Sequence, residues 1–232
     1  MIPHDFLTMY WVKAAEYLIA VTFLLLFIPF WRYVNAERVG QRVAVAETPK
    51  WLGQIVDWFF VPGTLHFHPG HAWTRVEEGD LVTVGIDDFA QKLVGQLSNI
   101  MLPELGSSVS QGEKGWSLTL GSKSVDMLSP VEGTVVAVND RVLASPGTVN
   151  SDPYGNGWLL KVKAPRFPAN TKQLLSGALA RRWLEAECDR LQAMMTPDLG
   201  RLYQDGGLPI HGMARGLNPD KWDEVAKEFF LT

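Results

Sequence analysis

The chain opens on a single long apolar run and nowhere repeats it. Residues 9–31, MYWVKAAEYLIAVTFLLLFIPFW, carry only Lys13 and Glu16 as charges. As a helix rising 1.5 Å per residue the run is roughly 34 Å long, enough for a hydrocarbon core of about 30 Å. Lys13 and Glu16 are three apart and share a face. Tyr10, Trp11, Tyr17, Trp31 and Tyr33 read as interfacial aromatics. No basic stretch precedes the run and no small-x-small site follows it, unlike a cleaved signal peptide. The pattern predicts a single-pass anchor over 1–34. Arg32, Arg38, Arg42 and Lys50 all follow the span, so the positive-inside rule places the rest of the chain in the cytoplasm of a bacterial inner membrane.

A juxtamembrane linker is expected over 35–64. Within it, Thr48 suits an N-cap and Pro49 a first helical position. Trp51, Leu52, Ile55, Val56 and Phe59 then recur at helical spacing. The stretch is too short to span a membrane. It predicts either an amphipathic helix in the interface or one packed on the following domain.

The period changes between Leu65 and Lys163. In TRVEEGDLVTVGI, Leu81, Thr83 and Gly85 alternate with Val82, Val84 and Ile86, and Glu78-Gly79-Asp80 supplies a turn. Asp87 or Asp88 can cap a short helix. Further short strands follow: SNIM, a hairpin around GSKS, SPVEGTVVAV, and one opening at Trp158. Closely spaced strands and turns predict a mainly β domain over 65–165, a sandwich or flattened barrel with small helices.

The last third, 166–232, returns to helical spacing. Leu175, Leu179, Trp183 or Leu184, Cys188, Leu191 and Met195 fall on one face. The Gly-rich segment LYQDGGLPIHGMARGLN has no period and predicts an extended loop. Asn218 and Pro219 then open a helix whose apolar face holds Trp222, Val225, Ala226, Phe229 and Phe230. A terminus this apolar docks somewhere, on its own domain or on a neighbouring subunit. Trp51, Phe59, Phe60, Trp222, Phe229 and Phe230 are the candidate partner-binding residues.

Composition narrows the chemistry. Net charge is −4, with no basic field for nucleic acid. The lone Cys188 excludes an internal disulfide and any multi-cysteine metal site. His66, His68 and His71 form H-x-H-x-x-H and are weak metal candidates, because Pro69-Gly70 interrupts the strand and no carboxylate lies close in sequence. No phosphate loop, GxSxG or HExxH is present, so no catalytic residue and no substrate of its own is expected.

Five segments in order carry a resemblance: His71-Ala72-Trp73; Val84-Gly85-Ile86 running into Asp87-Asp88-Phe89-Ala90-Gln91; Leu102-Pro103-Glu104-Leu105-Gly106; Ser129-Pro130-Val131-Glu132-Gly133; and Asn150 to Trp158, NSDPYGNGW. Together they resemble the glycine cleavage system H protein, a relative of lipoyl and biotinyl carrier domains. The resemblance implies a lipoyl-domain fold and a hairpin-tip lysine in a pattern like E-S-V-K-A-A-S-D that bears a lipoyl group. Counted without a gap to Pro130, that place falls on Ser122, and Lys123 stands one residue late. Thr119 replaces the family's glutamate, and both flanks of Lys123 are serine.

Two expectations from different classes follow. The first is a non-catalytic accessory or scaffolding subunit of a membrane-bound, respiratory-type complex, without cofactor, whose lipoyl-like domain has lost its arm. The alternative is a membrane-tethered carrier with lipoyl-lysine at Lys123, serving an enzyme of glycine-cleavage or dehydrogenase type. A metal module built on the three histidines is a third, weaker expectation.

Overall fold

The structure is a computed structural model that describes residues 11, 13–27, 29, 59–195 and 211–232. The chain divides into two units, Met1–Pro49 and Lys50–Thr232. In the first, residues 13–27 are an unbroken helix. Among the described residues no helix is long and apolar enough to cross a membrane. The remaining positions of the expected span, 9, 10, 12, 28, 30 and 31, lie outside the described residues, as does the expected interfacial helix up to residue 58, with Trp51.

The second unit is a β structure of two sheets. Its strands are β1 His66–Phe67, β2 Ala72–Val76, β3 Leu81–Ile86, β4 Asn99–Met101, β5 Ser108–Val109, β6 Lys114–Leu120, β7 Lys123–Leu128, β8 Gly133–Val138, β9 Leu160–Lys163 and β10 Leu175–Ser176. The larger sheet runs β10-β1-β2-β3-β9-β8-β5, and the smaller one runs β4-β6-β7. The helices are α1 Asp88–Val94, α2 Asp140–Ala144, α3 Thr148–Ser151, α4 Phe167–Asn170, α5 Gly177–Met194, α6 Met213–Leu217 and α7 Trp222–Phe230. Every neighbouring strand pair is antiparallel.

The motifs have separable physical jobs. Trp73 sits opposite Gly85 in the β2–β3 ladder. A Cβ on Gly85 would lie 2.7 Å from the Trp73 ring, so the glycine is what lets the indole lie flat on the sheet. The indole N–H donates to the carbonyls of Ile86 and Pro153, at 2.9 and 3.1 Å, and ties the NSDPYG turn to the sheet. Gly133 lets β8 approach β9: a Cβ there would stand 2.2 Å from the Lys163 carbonyl oxygen. In NSDPYGNG, the Asp152 carboxylate accepts from the amides of Gly155 and Asn156 at 3.0 and 2.7 Å, an aspartate turn of the expected kind.

Several elements depart from the sequence reading. Strand β9 begins at Leu160; Trp158 precedes it, its carbonyl accepting from the Asn139 side-chain amide. Leu175 belongs to β10, paired with Phe67, and α5 starts only at Gly177. That moves the buried stripe of α5 to Ala180, Leu184, Glu187, Cys188 and Leu191 and leaves Leu179 exposed. The part of the Gly-rich segment that is described includes a short helix, α6, with Met213 and Ala214 buried. A one-turn helix has no periodic signature to read. Asn218 does not cap α7 directly: its side-chain Oδ1 accepts from the backbone amide of Lys221, the residue just before the helix, at 3.0 Å.

The largest correction concerns the apolar anchors. Phe59, Trp222, Phe229 and Phe230 are buried within this unit, not presented to a partner. Phe59 packs on Phe89 with ring centroids 4.9 Å apart, and Phe229 packs on Phe89 at 5.3 Å. The reason is the free end of α1 and the inner face of the small sheet, which alone offer too little cover; the tail supplies the missing layer. Phe60 remains 66% exposed.

Candidate functional site

The smaller sheet projects the hairpin that the sequence singled out. Strands β6 and β7 pair Leu118 with Val125, Thr119 with Ser124 and Leu120 with Lys123, leaving Gly121-Ser122 as a two-residue turn. Gly121 has φ +62°, and a two-residue hairpin of the II′ kind wants glycine at that first central position. Directly opposed residues share a face, and along a strand the face alternates. Lys123 therefore lies on the face of Leu118, Val125 and Met127, all buried. Ser122, the gapless counterpart of the family's lysine, is exposed in the turn. One residue of offset moves the amine from the tip to the inner face.

On that inner face the tail meets it. Helix α7 packs along β7. The Lys123 ammonium donates to the Asp223 carboxylate at 2.5 Å and also to the Asp220 carbonyl. Side-chain exposure is 38% for Lys123 and 17% for Asp223. The hydrogen bond from Lys123, with the charges of Lys123 and Lys227, holds the Asp223 carboxyl below its usual range. The Thr232 hydroxyl donates to the Asp126 carbonyl at 3.2 Å, pinning the end of the tail to the same strand. A cleft of about 260 Å³ opens beside the tip, between Ser122, Lys123, Arg215 and Trp222. The Lys123 amine thus suits an acyl attachment in position and access, once its ion pair opens. Nothing in the local spacing could have found Asp220 or Asp223, about a hundred residues away.

The histidines are committed to structure. His66 stacks edge-on to Phe167, and the His68 Nδ1 accepts from the Gly70 amide at 3.0 Å. Burial, then the neighbouring His71, push the His68 pKa down. His71 is fully buried, with φ +65°, and its Nδ1 meets the Asp87 carboxylate at 2.8 Å. The other Asp87 oxygen accepts from the Ala90 amide at 2.8 Å and caps α1. One carboxylate thus fixes both the strained turn before β2 and the helix after β3. The sequence offered Asp87 or Asp88 as the cap. Asp88 instead accepts from the Phe60 amide and the Lys92 ammonium. Among the described residues no group of three His, Cys, Asp or Glu could hold a metal ion.

Cys188 is equally inert. Burial, followed by Asp189, Glu187 and Asp87, pushes its thiol up to about 12. Alkylation by iodoacetamide at pH 8 is expected to be negligible in the folded chain and complete in denaturant, measured by peptide mass. Because the folded value lies above the ordinary one, this thiol's contribution to stability is intact below about pH 9 and is lost as the pH rises beyond it.

Comparison with known proteins agrees with this framework. The family model for the glycine cleavage H-protein matches residues 65–187. The glycine cleavage system H protein of Neisseria meningitidis serogroup C is 40% identical over 116 residues, covering 50% of this chain and 90% of that protein. That of Rubrobacter xylanophilus is 42% identical over 127 residues, covering 55% and 97%. A crystal structure of the H protein of Mycobacterium marinum is 33% identical, with a TM-score of 0.43, covering 45% of this chain and 86% of that one. Helix α7, which clasps the hairpin, and α6 before it lie outside the matched residues. With more than half of its length matched, including β1 through most of α5, this chain belongs to the glycine cleavage H-protein family.

Proposed function

We propose that this protein is a membrane-tethered lipoyl carrier, with the lipoyl group on Lys123, serving a partner enzyme of glycine-cleavage or dehydrogenase type. Family membership together with one observation carries the reading: an amine stands on the hairpin next to the turn where the family's lysine falls. The bound group would supply a swinging, redox-active dithiolane; this chain's part is to hold the attachment amine on a rigid hairpin. The tether is supported by the apolar run of residues 9–31 and by the exposed Leu18, Ile19, Phe23, Leu24, Leu25 and Leu26 of the described helix. The basic flank after the run favours a cytoplasmic carrier domain.

A second reading is favoured by a specific observation. Lys123 faces inward and is ion-paired, and a gapless count to Pro130 puts the family's lysine place on Ser122. A scaffolding subunit of a membrane complex, without lipoyl, fits that geometry. Intact-mass analysis of the chain purified from membranes of a lipoylating host separates the two. The carrier gives a lipoyl increment that vanishes in Lys123→Ala. An unmodified wild-type chain refutes the carrier and leaves the scaffold. Recovery of the full chain in the soluble fraction refutes the tether.

A further inference from the structure

The tail does more than complete the core. It places an acceptor pair, the Asp223 carboxylate and the Asp220 carbonyl, on the lysine beside the hairpin tip. Acylation needs the amine lone pair. The nitrogen attacks the carbonyl carbon of an activated acyl donor, an amide bond forms, the activated leaving group departs with its electron pair, and the amine gives up a proton. An ammonium donating to two oxygens must break those contacts before its nitrogen can attack. Lys163 provides the contrast: it is 61% exposed, and its nearest carboxylate oxygen, on Asp80, is 3.9 Å away.

The clasp is also separable from the rest. Asp220 and Asp223 lie at the start of α7, next to the cleft, while the buried Phe229 and Phe230 hold its other end. Lifting the N-terminal turn of α7 uncovers Trp222 but leaves Phe229 and Phe230 seated at the other end of the helix. Partly exposed ion pairs are weak, so such a contact can be displaced by an enzyme that reads the hairpin.

We propose that the C-terminal segment 218–232 is a built-in cover on the carrier hairpin, in which Asp223 and the Asp220 carbonyl hold Lys123 out of reach of acyl donors until the start of α7 lifts. Its physiological meaning rests on the carrier reading, but its test does not. The full-length chain in detergent is treated briefly with an N-hydroxysuccinimide ester of acetic acid, and acetylation at each lysine is read by peptide mass. Lys123 is expected to react about fivefold more slowly than Lys163, the scale of one partly exposed ion pair. Asp223→Asn is expected to bring Lys123 up to the rate of Lys163 and to leave Lys163 unchanged. Lys227, 3.8 Å from the same carboxylate, serves as a second reporter. Trp222→Ala, which loosens α7 and keeps the ion pair's residues, is expected to raise Lys123 too. Wild-type Lys123 as reactive as Lys163, or no gain in either variant, overturns the cover. The same proteins from a lipoylating host report on the carrier separately: slow wild-type acetylation that Asp223→Asn relieves, with no lipoyl on any chain, supports the cover and refutes the carrier.

Discussion

Phe229→Ala is expected to destabilise the folded unit by about 3–5 kcal/mol, the usual cost of emptying a fully buried aromatic site. Phe229 has no exposed surface. Its ring meets Phe89 at 5.3 Å, and the Arg190 guanidinium lies over it at 5.0 Å. Deleting the ring opens a void between α1, α5 and α7, where no neighbouring side chain can collapse into it without leaving its own packing. Urea unfolding of the chain in detergent, followed by tryptophan fluorescence, reads the shift in midpoint. The experiment separates two accounts of the tail. A tail docked on a neighbouring subunit would leave the isolated chain's midpoint unchanged. A tail that completes its own core lowers it sharply.

Moving the lysine by one residue is expected to have the second large effect. In the double variant Ser122→Lys with Lys123→Ser, the amine stands in the exposed turn and no longer meets Asp223. The side chain leaves at the tip, where a modifying enzyme can approach from open solvent. Lipoyl occupancy in a lipoylating host is expected to rise well above that of the wild type, and the acetylation rate at residue 122 should match that of Lys163. Occupancy that falls instead would mean that the modifying enzyme reads the inner-face position. Occupancy of zero in both chains would mean that the residues around the lysine, not its register, forbid recognition.

Much of the β domain was legible because its signals are local. The strand Leu81–Ile86, an aspartate cap at Asp87 or Asp88 and the turn chemistry of Asn150–Gly157 each depend on residues a few positions apart, and all three elements form, with Asp87 as the cap and both faces of the strand buried. The five ordered motifs set the family because they fix close approaches: Gly85 beneath Trp73, Gly133 against Lys163. The end of the chain was legible only in part. Its apolar face at Trp222, Ala226, Phe229 and Phe230 followed from helical spacing, but periodicity says which residues seek cover and never where they find it. Leu179 went astray for a related reason: β10 takes Leu175 out of the helix, and the stripe rotates.

The hairpin shows where the two kinds of information divide. The sequence by itself determined that a tight hairpin stands around Gly121-Ser122-Lys123-Ser124, since that depends only on spacing and on turn chemistry. Only the tertiary structure decided where the lysine points. Cross-strand pairing turns Lys123 to the inner face with Val125, and long-range packing brings Asp223 to meet it at 2.5 Å. A contact between residues a hundred positions apart is selected by how the whole core closes, and no local pattern encodes it.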